Sequence, residues 1–303
     1  MSSKFFAATF LAASTLSVWG QTTPERPKIT GISHLAVYAS DPAATEHYYT
    51  SVVGAVKEPD PENAKGVRYA VSATQFIEVL PLPADAGINR LDHTAWNTTS
   101  AEGMRKYLAA KGWKTPAMVT TGSDGSHWFE VLDPEGNKVQ FVQPSLTAKV
   151  DAPNAVGHHI MHVGFLVKDR AKEDTFYRDL LGFRPYWYGG MSDTRVDWVS
   201  QQTPDSHDWL EYMLVADPAK VTQHTLGVLD HFSIGEVSVF DTFKTLEASN
   251  RLGTTHDAAA KIGKDGKGQL NLYDPDGTRV ELMNFHATEK PCCSSFTADD
   301  PAE

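Results

Sequence analysis

Only two of the 303 residues are cysteine, and they are neighbours, Cys292 and Cys293, in a tail of small and charged residues. Adjacent cysteines cannot tie distant segments together, so the fold must rest on a buried apolar core. A vicinal disulfide or an exposed metal-binding pair is open to them, but the reading taken is a flexible tail over residues 288–303. Basic charge is scarce as well. Against 38 Asp and Glu stand 27 Lys and Arg, a net charge of −11, and no run of basic residues offers a phosphate backbone a seat, which excludes nucleic acid as a partner. Beyond the N-terminus there is no apolar run long enough to cross a bilayer. Three catalytic signatures are missing too: a phosphate-cradling glycine loop, a nucleophile elbow and HExxH.

What the N-terminus has is the pattern of an export signal. Lys4 is its lone charge, Phe5 to Trp19 is apolar, and the small Val18 and Gly20 precede a cleavage point near Gln21. Residues 1–20 are therefore read as a signal peptide and 21–27 as a linker. The expected product is soluble and exported, periplasmic or secreted, with no membrane contact after cleavage. The remaining length suits two domains of common size.

The chain repeats itself. Four times an apolar strand carries a His near its start, at His34, His93, His162 and His231, followed by a helical stretch and further strands. His34 and His162, Tyr49 and Tyr177, and Gly54 and Gly182 are all 128 residues apart. A second signature, Asp133-Pro134-Glu135-Gly136 and Asp274-Pro275-Asp276-Gly277, recurs at an offset of 141 and has β-turn chemistry leading into a final strand. Helices are expected over Pro42–Val53 and Arg170–Leu181, and each unit reads as βαβββ. One such unit cannot hide both faces of its strands, so units must pair. The expected fold is α+β, with four βαβββ modules in two tandem domains at 28–145 and 155–287.

Side chains alternate across a strand, so parity sorts them by face. Leu210, Tyr212 and Leu214 oppose Trp209, Glu211 and Met213; Val280 and Leu282 oppose Arg279, Glu281, Met283 and Phe285; Phe232 and Ile234 oppose His231; and Val163, Phe165 and Val167 oppose His162. Each strand thus has an aliphatic face and a face with one metal-capable side chain. A single buried Glu could be a salt bridge, for example Glu281 with Arg279. Four such residues, one per strand, point instead to a divalent ion held by His162, Glu211, His231 and Glu281, the donor set of Zn, Ni, Co, Fe or Mn. The N-terminal half offers His34, Glu78, His93 and Gln140, where an amide replaces the last carboxylate. That half reads as a retired or substrate-shaping site, with a second metal centre the other reading. His207 is a candidate acid or base, with His158 and His159 as further polar candidates, and Trp209 shares the face of Glu211 as a candidate substrate contact.

On the early-strand His, the Asp-Pro-x-Gly turn and the Glu four residues after its Gly, as in Gly277 to Glu281, residues 28–287 resemble the vicinal oxygen chelate superfamily. That superfamily includes glyoxalase I, bleomycin and fosfomycin resistance proteins and extradiol ring-cleaving dioxygenases. The resemblance implies paired βαβββ units cupped around a divalent ion that chelates two neighbouring oxygens of a small-molecule substrate, in a monomer or homodimer. A glyoxalase-like member would use all four of His162, Glu211, His231 and Glu281, with either Glu as base, for lyase or isomerase chemistry through an enediolate. A ring-cleaving dioxygenase would use His162, His231 and Glu281, with His207 as catalytic His. Such dioxygenases usually carry a Tyr three residues before the Asp of the turn; here that position is Asn271, a candidate substrate contact, and Tyr273 is out of register. The set of two carboxylates and two imidazoles therefore favours lyase or isomerase chemistry, with dioxygenase and non-catalytic, resistance-type binding as alternatives.

Overall fold

The computed structural model describes residues 24–145, 150–215 and 217–303. The expected signal peptide lies outside them. The first domain runs β1 (Ile29–Ala39), α1 (Pro42–His47), β2 (Val56–Pro59), β3 (Val67–Ala70), β4 (Phe76–Pro81), β5 (Leu91–Thr98), α2 (Ala101–Ala110), β6 (Thr120–Thr121), β7 (His127–Leu132) and β8 (Lys138–Gln143). The second runs β9 (Ile160–Val167), α3 (Arg170–Asp174), β10 (Arg184–Gly189), β11 (Trp198–Gln202), β12 (Trp209–Leu214), α4 (Gln223–Leu229), β13 (His231–Glu236), α5 (Val239–Ala248), β14 (Lys261–Ile262), β15 (Gly268–Tyr273) and β16 (Arg279–Asn284). Each domain is one eight-stranded sheet, ordered β2-β3-β4-β1-β5-β8-β7-β6 and β10-β11-β12-β9-β13-β16-β15-β14. The two modules of a domain meet through an antiparallel pairing of their first strands, β1 with β5 and β9 with β13. This is the tandem paired-module α+β architecture expected from the repeats.

Local chemistry explains the elements. Asp41 caps α1 by accepting from Ala43 N and Ala44 N, with Pro42 in the first turn, and Asp169 caps α3 through Lys172 N. Both helices then loosen into π-helical turns, Tyr48–Val52 and Thr175–Leu180, which together fill the expected helical spans. In the two Asp-Pro-x-Gly turns Gly136 and Gly277 take φ of 90° and 91°, a region that side chains avoid, and the Asp side chain accepts backbone N–H groups across the turn. The aliphatic faces pack as parity requires: Val163, Phe165, Val167, Leu210, Tyr212, Val280 and Leu282 all lie in the main core. Full burial of each such side chain contributes roughly 1.5–3 kcal/mol.

The two repeat signatures meet across the domain boundary. Tyr49 OH, from the π turn of the first domain, donates to Asp274 at 3.1 Å, and Tyr177 OH of the second donates to Asp133 at 3.4 Å. The same turns receive Ser40 N on Asp276 and Lys168 N on Glu135. Gln75 adds a two-way bond to the start of β9, its amide donating to Ile160 O and its carbonyl accepting from Ile160 N.

This boundary is rich in buried acid. Burial and the neighbouring Asp133 push Glu173 up to about 9, and burial pushes Asp274 up to about 6. A carboxyl raised above its unfolded value stabilises the fold while protonated, fully below about pH 4, and loses that contribution as pH climbs through the folded values. The metal-stripped protein is therefore expected to melt progressively lower from about pH 5 to about pH 9, levelling off once Glu173 is ionised in the fold as well. A flat or rising melting profile in differential scanning fluorimetry would contradict the acidic interface.

The C-terminal residues, expected as a flexible tail, make side-chain contacts with the second domain. Asp300 accepts from Lys267 Nζ at 2.6 Å and from Tyr186 OH, and pairs with His286 at 2.9 Å. Phe296 packs on Tyr186 with ring centroids 4.9 Å apart, and Trp187 Nε1 donates to Cys292 O. Small and charged composition concealed a segment held by polar contacts to buried partners. Cys292 and Cys293 are bonded to each other.

Candidate metal centres

In the second domain the four adjacent central strands β12, β9, β13 and β16 each deliver one side chain to the concave face: Glu211, His162, His231 and Glu281. Register sets them together, since Gly164 of β9 lies opposite both Glu211 and His231, and Ser233 of β13 lies opposite both His162 and Glu281. His162 Nε2 and His231 Nε2 are 3.0 Å apart. Glu281 Oε2 lies 3.2 Å from His162 Nε2 and 3.9 Å from His231 Nε2, and Glu211 Oε2 lies 3.4 Å from His231 Nε2.

The rings are aimed by their surroundings. His231 Nδ1 donates to Leu229 O at 2.8 Å, which assigns the proton to that nitrogen and leaves Nε2 as a lone pair facing the centre. His162 is oriented by packing, its ring 4.7 Å from that of Trp209. Burial, then Arg279 and His162, pushes the His231 imidazole well below its ordinary value, so it is neutral. Burial alone would raise the Glu281 carboxyl, but Arg279 and His162 outweigh it and hold the group below the usual range. A neutral imidazole, an ionised carboxylate and converging Nε2 and Oε atoms fit a divalent cation, since an ion would accept both lone pairs where a shared proton can serve only one.

A cavity of about 530 Å³ opens onto this face. Glu211 and Glu281 form part of its wall, with Trp187, Trp198, Met213, Arg279 and Met283 among the others. Trp187 and Trp198 stack with centroids 6.4 Å apart. Parity places Trp198 on the lining once β11 is paired with β12, opposite Met213, but the sequence does not reveal that pairing. Gly164 was missed as well. A Cβ there would stand 2.2 Å from His231 Cε1, so only glycine lets the ring lie across the strand; a lone Gly inside an apolar strand is the available signal for such a close approach.

Other expected residues fall elsewhere. His207 is not at the centre: its Nδ1 donates to Asp299 O, and it lines the cleft between domains with His158 and His159. Sequence proximity to Glu211 misled, because the residues before β12 turn toward the other domain and the C-terminal segment. Trp209 and Asn271 lie against the ligands and not on the cavity wall. Trp209 underlies His162, and Asn271, opposite Glu281 in register, donates to Asp257.

The first domain repeats the arrangement on β1, β4, β5 and β8 with His34, Glu78, His93 and Gln140. His34 Nε2 and His93 Nε2 are 3.0 Å apart, and Glu78 Oε2 lies 3.6 and 3.5 Å from them. The cover differs. Phe76 stacks on His34 at 4.4 Å, and the buried Arg68 guanidinium sits 4.0 Å above Phe76. The cavity beside Arg68 and Phe76 is lined by none of the four residues.

Residues 146–282 match the family model of the Glyoxalase/Bleomycin resistance protein/Dioxygenase superfamily. No curated protein sequence matches the chain. Among solved structures, a catechol 2,3-dioxygenase superposes with a TM-score of 0.62 at 16% identity, covering 91% of this chain and 99% of that one. The 2,3-dioxygenase LapB from Pseudomonas sp. KL28 gives 0.63 at 14%, with 88% and 97% covered. The Mn(II)-bound glyoxalase from Novosphingobium aromaticivorans gives 0.63 at 18%, with 88% and 86% covered. The sequence pattern of the glyoxalase/bleomycin resistance protein/dioxygenase superfamily thus covers the second domain, and the chain as a whole shares its fold with these solved structures.

Proposed function

We propose that the second domain is catalytic: a divalent-metal-dependent enzyme that binds two neighbouring oxygens of a small substrate and carries out glyoxalase-like lyase or isomerase chemistry. The observation that carries this reading is Glu211. Its carboxylate stands 3.4 Å from His231 Nε2, has only a long hydrogen bond from Ser200 Oγ at 3.5 Å, and lines the cavity beside Glu281. A second carboxylate on the cavity wall suits proton transfer better than dioxygen chemistry, which needs open positions. His162, Glu211, His231 and Glu281 would hold the ion, which when bound supplies Lewis-acid polarisation of the substrate oxygens. Glu211 or Glu281 takes the substrate proton and returns it, and Trp187 and Trp198 stack on an apolar or aromatic portion while the cavity walls limit water. Export, read from residues 1–20, would separate this chemistry from the cytosolic glutathione adduct of glyoxalase I.

A ring-cleaving dioxygenase is the second reading, favoured by two-domain architecture coextensive with the catechol 2,3-dioxygenase structure. Elemental analysis of protein purified without chelators or a metal-affinity tag, together with Glu211→Ala, separates the two. Bound Zn, Ni or Co and loss of turnover in Glu211→Ala support the four-ligand reading. Bound Fe, oxygen uptake with catechols and turnover surviving in Glu211→Ala would replace it with the dioxygenase, whereas Mn fits either reading. Ligand binding without turnover would leave a resistance-type binder.

A further inference from the structure

The first domain keeps a donor set that the proposed chemistry does not use, and its details differ from those of a retired site. Two oxygens there are buried with no hydrogen-bond partner, Glu78 Oε2 and Gln140 Oε1. Glu78 Oε2 is the atom 3.6 and 3.5 Å from the facing Nε2 atoms of His34 and His93. The Gln140 amide nitrogen donates to Glu62 Oε2 at 2.7 Å, so its carbonyl oxygen is the end left unused. An unpaired buried polar atom costs free energy, and Glu78 Oε2 beside the two facing imidazole nitrogens calls for a partner, with Gln140 Oε1 the unused oxygen on the neighbouring strand.

The surroundings supply what a ligand set needs. His93 Nδ1 donates to Asp92 Oδ2 at 2.7 Å, and Asp92 is itself held by Lys138 and Tyr38, an arrangement that orients the ring and strengthens Nε2 as a ligand. His34 Nδ1 meets Ser33 Oγ at 3.1 Å. Charge points the same way. The side chains of Asp60, Glu62 and Glu78 are 0%, 3% and 3% exposed, and Arg68 is the buried guanidinium that faces them. Three buried carboxylates thus crowd around one guanidinium beside the two imidazoles.

We propose that the first domain holds a divalent cation of its own, ligated by His34, Glu78, His93 and Gln140, in a closed site that serves the fold and not the chemistry. Structural metal sites are closed by protein ligands, whereas catalytic ones keep an open position. Here Arg68 and Phe76 cover His34, and Glu62 bridges Arg68 to Gln140. An ion at this position ties β1, β4, β5 and β8 together, and the cavity beside Arg68 and Phe76 is lined by none of its ligands.

The test is independent of the catalytic reading. Full-length wild type, His162→Ala/His231→Ala and His34→Ala/His93→Ala proteins are purified without chelators and analysed for bound metal. Each is then stripped and titrated with Zn(II) by calorimetry, with melting temperature followed in parallel. Two ions are expected in wild type. One should survive in His162→Ala/His231→Ala, and its removal should lower that variant's melting temperature. One ion in wild type that vanishes from His162→Ala/His231→Ala would overturn the closed site and leave the catalytic reading standing. One ion that survives there would instead support the closed site and count against the catalytic centre. Should His34→Ala/His93→Ala fail to fold, the number of Zn(II) sites in His162→Ala/His231→Ala decides alone, one supporting the proposal and none overturning it.

Discussion

Gly164→Ala is expected to empty the second-domain centre while leaving the domain folded. The new Cβ would stand 2.2 Å from His231 Cε1 and 2.7 Å from Nδ1, closer than any real contact, so the ring must swing away. Swinging breaks the bond from Nδ1 to Leu229 O and takes Nε2 out of reach of His162, Glu211 and Glu281 together. Loss of an orienting partner alone typically costs 10–100-fold in metal affinity, so displacement of the ligand should cost about 100-fold or more. Competition titration with a chromophoric chelator measures this, with His231→Ala as the reference for complete loss. The metal-stripped variant should melt close to wild type, because strand β9 keeps its aliphatic face in the core. Unchanged affinity would mean that the ring has another way to reach the centre and that Gly164 is not what admits it.

Lys267→Met should cost about 3–5 kcal/mol, the range for breaking a buried ion pair by removing one partner. Lys267 is fully buried, and its Nζ binds Asp300 and the Phe285 carbonyl and lies 5.3 Å from the Trp209 ring and 5.1 Å from that of Phe296. Methionine fills most of the volume but leaves Asp300 without its strongest partner. The C-terminal segment should then become a site of proteolytic nicking, and because Trp209 underlies His162, metal affinity should fall alongside stability. Denaturant unfolding and limited proteolysis check both effects. A cost below about 1 kcal/mol would show that the pair is replaceable by packing and that the segment is held by Phe296 and its neighbours.

Much of this molecule is legible in its sequence because duplication writes the same chemistry twice. The offset joining His34 to His162 and Tyr49 to Tyr177 gave modules whose strands take the expected order, and parity placed His162, Glu211, His231 and Glu281 on one face. Parity states which way a side chain points along its own strand. It says nothing about what stands opposite. Gly164 beneath His231, Trp198 on the cavity wall and the turn of His207 toward the C-terminal segment all depend on neighbours distant in sequence. Lys267 was invisible for the same reason, since a lysine in a polar loop reads as solvated until Asp300 is brought to it.

The crossed tyrosines also bear on how the duplicated halves can change. Asp274 begins the turn into the strand that carries Glu281, and Asp133 the turn into the strand that carries Gln140, so each half steadies the other's last ligand strand through a tyrosine on loan. Neither half is self-sufficient in this respect. The half whose donors do not line the cavity beside them still supplies Tyr49 to the half whose carboxylates do, and it could lose every trace of reactivity and remain indispensable as the other's brace.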